Sequence, residues 1–98
     1  MTDENQILLP DSFLDLYTDR QRHRLSAPLA EVRTRYEVCE DLAQQLIDSA
    51  RHIHFDLGVS EDEVLIRMEA GLQAPESGLT PQEGVWVARR LAELLGWD

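Results

Sequence analysis

Apolar residues recur through the middle of the chain in alternating steps of three and four: Leu29, Val32, Tyr36, Cys39, Ala43, Leu46, Ala50, Ile53 and Leu57. This spacing places them on one stripe of an α-helix sustained over about four heptads, with charged or polar side chains at most of the intervening positions. The pattern predicts a helix over about 27–57, opened by Ser26 and Pro28 and stopped by Gly58, a residue able to take the left-handed conformation that ends helices. Upstream, Pro10 and Asp11 introduce a shorter pattern of Phe13, Leu14, Leu16 and Tyr17, a helix over about 11–18. The polar run 19–26 reads as a linker.

Two further helices carry signed ends. Ser60 with Glu63 three residues on is a capping box, Val59 and Val64 are spaced as its hydrophobic staple, and Glu61, Asp62 and Glu63 suit the positive end of a helix dipole. The predicted helix, about 61–73, has Val64, Leu65, Met68 and Leu72 as its apolar face and is ended by the segment 74–78 around Pro75. Thr80, Pro81 and Glu83 repeat the same grammar for a helix over about 81–95 with the core stripe Gly84, Val87, Ala88, Leu91, Leu94 and Leu95, terminated by Gly96. No strand pattern competes. The expectation is an all-α fold: a small bundle of three to four helices dominated by one long central helix, in a single domain over 1–98.

Length then becomes informative. The second helix would extend about 43 Å and the last two roughly 20 Å each. Neither short helix covers the long one, so the seam is buried by the two in succession, by the N-terminal arm, or by a second copy of the chain. The intramolecular bundle is the preferred reading and a homodimer the alternative. A break near 51–54 would remove the difficulty.

The 98 residues, 43% of them hydrophobic, suffice for one core. Nineteen acidic against nine basic side chains give a net charge of −10. Such a surface repels phosphate backbones and anionic lipid, which argues against nucleic acid and membrane and for a protein partner with a basic surface. The stretch Ile7, Leu8, Leu9 before Pro10 is too short for a secretory signal, and no segment has the length to span a bilayer. The single cysteine forms no internal disulfide, and a cytoplasmic location is expected.

Candidate chemistry is sparse. Asp48, His52 and Asp56 share a stripe at four-residue spacing and could hold a divalent metal, although an exposed line of solvated charges is the commoner meaning. Cys39 lies on the apolar seam as a core filler. Neither a Gly-x-x-x-x-Gly-Lys loop nor a Gly-x-Gly-x-x-Gly turn is present, so no nucleotide and no other cofactor is expected. The connection before 81 is too long for a helix-turn-helix, and no base-reading cation enters with that helix. Arg20, Arg22, His23 and Arg24 form a basic cluster that could grip an acidic partner or an anion, or simply balance Asp15 and Asp19. On the last helix Trp86 projects opposite the core stripe beside Arg90 and Glu93, and Trp97 would extend that side. Tryptophan and arginine are the types most enriched at binding hot spots, which makes Trp86, Arg90 and Trp97 the candidate partner-binding residues. An N-terminal arm of Ile7, Leu8 and Leu9 folded over Trp86 is an equal reading.

The segments RYEVCEDLA (35–43), LGVSEDEVL (57–65) and WVARRLAELLGW (86–97) resemble those of a family of short, uncharacterised proteobacterial proteins. The likeness spans most of the chain. Some members carry the label "ATPase with chaperone activity"; without a phosphate loop or any lysine, this chain would be an accessory or adaptor beside such an ATPase. The resemblance brings no catalytic residues. The expected function is a non-enzymatic helical interaction module, an adaptor or small regulator. The alternative is a small metal-binding protein or metal-dependent enzyme using Asp48, His52 and Asp56.

Overall fold

The computed structural model describes residues 9–98 and is mostly α-helical. In chain order it comprises α1 (Asp11–Leu14) with a 3-10 turn over Asp15–Tyr17, strands β1 (Thr18–Asp19) and β2 (Arg24–Leu25), α2 (Leu29–Gln45), α3 (Ile47–Arg51) running into a π-helical turn (His52–Asp56), α4 (Glu61–Gln73), a 3-10 turn (Pro75–Ser77) and α5 (Pro81–Leu95). Packing divides the chain into two compact units, 1–37 and 38–98. No helix among the described residues is long and apolar enough to cross a membrane.

In the first unit the expected helix over 11–18 is a single α-turn that tightens into 3-10 geometry. Phe13 is fully buried, its ring 5.8 Å from that of Tyr17 and edge-on to Tyr36 at 5.5 Å. Such ring pairs contribute about 0.5–1.5 kcal/mol beyond the area they bury. The run 19–26, expected as a linker with no strand, is instead a small hairpin in which Thr18 pairs with Leu25 and Asp19 with Arg24. Local side-chain bonds replace the missing apolar alternation. Asp19 Oδ1 accepts the backbone N–H groups of Gln21 and Arg22 at 3.0 and 3.3 Å, which closes the turn. Ser26, expected to cap the long helix, donates both its backbone N–H and its hydroxyl to the Tyr17 carbonyl, at 2.6 and 3.1 Å. The helix begins instead on Pro28, whose carbonyl accepts from Glu31 and Val32.

The long central helix is present and bent. It is helical over 28 residues rather than the full 27–57, and its seam residues Val32, Cys39, Ala43 and Ala50 are completely buried. The bend is at Leu46 (φ −84°, ψ −7°), whose N–H is shared between the carbonyls of Leu42 and Ala43 at 3.1 and 3.3 Å. At the far end the backbone widens into the π-turn, with Leu57 N–H donating to the His52 carbonyl at 3.3 Å. Gly58, at φ +74°, then reverses the chain.

Within the second unit, α4 and α5 form an antiparallel pair against α3. Ala50, Val64 and Leu91 make the centre of this core, surrounded by Leu46, Ile47, Ile53, Val59, Leu65, Met68, Leu95 and Trp97. Val59 packs against the cluster that contains Val64, in keeping with their staple spacing. Ser60 caps α4 by accepting from the Glu63 N–H at 3.2 Å. Thr80 and Glu83 make the complete reciprocal capping box at α5, with Pro81 in its first turn and Gly96 at φ +75° ending it. Close approach of the pair depends on Gly84, because a Cβ there would lie 2.8 Å from the Leu72 carbonyl oxygen.

Candidate functional site

The residues chosen from the sequence fall in four different settings. Trp86, expected off the core, is only 7% exposed. A helical wheel assumes a helix covered on one side, whereas α5 is buried over Glu83, Gly84, Trp86, Val87, Ala88, Leu91 and Ala92, more than one stripe. The Trp86 side chain is therefore largely buried rather than displayed on the surface. Ile7 and Leu8 of the arm expected to cover it lie outside the described residues.

Arg90 is committed internally. Its Nε and a terminal nitrogen donate to the two carboxylate oxygens of Glu40 at 2.8 and 3.1 Å, and its other terminal nitrogen donates to Glu93 at 3.1 Å. This two-point clamp ties α2 to α5 across fifty positions of sequence. Arg90's hydrogen bonds hold the Glu40 carboxyl below the usual carboxylate range despite the opposing effect of burial, and Glu40 in turn raises the Arg90 guanidinium further.

Trp97 does not prolong the helix, since α5 ends at Leu95 and Gly96 turns the chain. The half-buried indole packs instead on the core and meets the His54 ring edge-on at 5.1 Å.

The stripe of Asp48, His52 and Asp56 is only partly assembled. His52 Nδ1 donates to Asp56 Oδ2 at 2.7 Å, with both side chains well exposed. Among the described residues, no group of three His, Cys, Asp or Glu side chains is placed to hold a metal ion.

A feature not foreseen is the turn that ends the long helix. His54 Nδ1 donates to the Val59 carbonyl at 2.7 Å, which requires the hydrogen on Nδ1 and directs Nε2 toward Glu61 Oε2, 3.8 Å away. With Trp97 on one side and the Phe55 ring 4.5 Å away on another, His54 braces the loop from within. The two large side chains the turn carries point outward: Phe55 is 69% and Leu57 64% exposed. Along α4, Ile66 is also 62% exposed, beside a cleft of about 340 Å³ lined by Leu65, Ile66, Glu69, Ala70 and Gln73. The signal for these positions was available as apolar residues off the predicted stripes: Phe55 stands two places from Ile53, and Ile66 lies between the core-facing Val64 and Met68. Leu57 gave no such signal, because it lies on the seam itself.

Comparison of the chain with models of known protein families, with curated proteins and with solved structures returns no match in any of the three.

Proposed function

We propose that the chain is a non-enzymatic protein-interaction module, an adaptor or small regulator, that engages a protein with a basic surface through the turn at the end of its long helix. The observation that carries this reading is the exposure of Phe55 and Leu57 on a turn held by the His54–Val59 hydrogen bond. Burying either side chain at an interface contributes roughly 1.5–3 kcal/mol, and a braced loop loses little freedom on binding. The net charge of −10 favours a basic partner. The resemblance to proteins labelled as ATPases with chaperone activity directs the choice of partner toward a chaperone ATPase, beside which this chain would be accessory.

The test replaces Phe55 with a photo-crosslinking phenylalanine analogue in the cells that make the protein. A discrete adduct is expected. Its partner, once purified, binds the native chain and loses about tenfold in affinity for the Phe55→Ser, Leu57→Ser double variant. The absence of any adduct, or equal affinity for both forms, overturns the reading.

A further inference from the structure

The outer face of α4 is a second surface that the core leaves unused. Val64 and Leu72 are buried and Met68 packs on the core, whereas Asp62, Ile66, Glu69, Ala70 and Gln73 follow one another on the opposite stripe at helical spacing. The stripe is apolar at its middle and acidic along its length. Ile66 and Ala70, with Leu65 at the edge, line the cleft, Glu69 stands in its wall, and Asp62 lies one helical turn before Ile66. The unit that carries it, residues 38–98, has twelve acidic side chains against four arginines, and the arginine next to the face, Arg67, is paired with Glu63 at 3.0 Å. An acidic segment approaching this face meets like charge, and a neutral one gains nothing from it. A cationic segment is drawn in and can neutralise Glu69 as its apolar side chain fills the cleft.

We propose that this face of α4 docks a basic amphipathic segment of a partner protein, seating one aliphatic side chain against Leu65, Ile66 and Ala70 and pairing flanking arginines or lysines with Asp62 and Glu69. The inference rests on the interaction reading above and adds to it a separate surface and the chemistry of what that surface takes.

A random twelve-residue peptide library displayed on phage and selected against the intact protein reads that chemistry directly. Enriched sequences are expected to combine an aliphatic residue with two or more arginines or lysines. Synthetic copies should bind the native chain and lose about tenfold or more on Ile66→Glu. That substitution adds negative charge, so a peptide held by electrostatics alone would bind it more tightly. Glu69→Arg should weaken the same peptides. Because Ile66 is exposed, the Ile66→Glu protein should unfold at the native urea midpoint, which separates lost binding from lost folding. No enrichment, enrichment of acidic or uncharged sequences, or undiminished binding to Ile66→Glu overturns the inference. A Phe55 adduct without basic enrichment overturns this surface alone; basic enrichment without a Phe55 adduct overturns only the role of the turn.

Discussion

Gly84 and Gly71 show how one substitution acquires opposite signs from its surroundings. Both are helical, so exchange for alanine gains up to about 1 kcal/mol of backbone propensity in each case. At Gly71 nothing lies within 4 Å of the added Cβ, and that gain is expected in full. At Gly84 the new atom meets the Leu72 carbonyl oxygen at 2.8 Å and its carbon at 2.9 Å, backbone atoms that cannot rotate aside. Overpacking of this kind costs about 1–3 kcal/mol. Urea denaturation should therefore place Gly71→Ala above the native protein and Gly84→Ala below it. Stabilisation by both would show that α4 and α5 are not in close contact there.

At the scale of the elements, the two N-terminal caps differ: the capping box expected at Ser60 and Glu63 is made on one side only, with the Glu63 carboxylate accepting from Arg67 Nε instead. Ser60 and Thr80 each accept the N–H of the glutamate three residues on, but only at Thr80 does that glutamate return a bond, from Thr80 N–H to Glu83 Oε1 at 2.9 Å, and Glu83 is fully buried. Thr80→Ala leaves a part-buried Glu83 N–H without its hydroxyl acceptor. A loss of about 1–2 kcal/mol is expected from the urea midpoint, with Ser60→Ala nearer 0.5–1 kcal/mol because its group is reached by water. Equal losses would show that burial of Glu83 does not strengthen the cap. The end of the long helix obeys a different logic: backbone N–H groups of Leu57, Gly58 and Val59 close on the carbonyls of His52, His54 and Ile53, and the His54 side chain adds a bond forward to the Val59 carbonyl.

For the whole molecule, the Glu40–Arg90 clamp makes stability depend on pH with a definite sign. Arg90 holds Glu40 ionised below the pH at which a carboxylate of the unfolded chain takes up a proton, about 4.3. The clamp therefore contributes fully above that pH, and its contribution is lost as pH falls through the lower folded value. Arg90 stays cationic throughout, its own affinity for the proton being raised. Replacing Glu40 with glutamine should cost roughly 1–2 kcal/mol at pH 7, and the gap between the two proteins should close as pH drops below about 4. A gap that is constant with pH would mean that shape rather than charge joins α2 to α5.

What the residues determined by themselves is local and periodic. The seam from Val32 to Ala50, the stops at Gly58, at the segment around Pro75 and at Gly96, the caps at Ser60 and Thr80 and the packing of Val59 beside Val64 all follow from bonds and contacts within one or two helical turns, where sequence spacing is spatial spacing. The hairpin over 18–25 was hidden because Asp19 and Ser26 hold it, not an alternating apolar pattern. Tertiary structure alone decided which faces meet. It buried Trp86, because α5 is covered on more than one side; it gave Arg90 to Glu40, fifty positions away; and it left Phe55, Leu57 and Ile66 in solvent. Those outcomes depend on burial, which is a property of neighbours distant in sequence, and no periodicity within one helix encodes what packs against it.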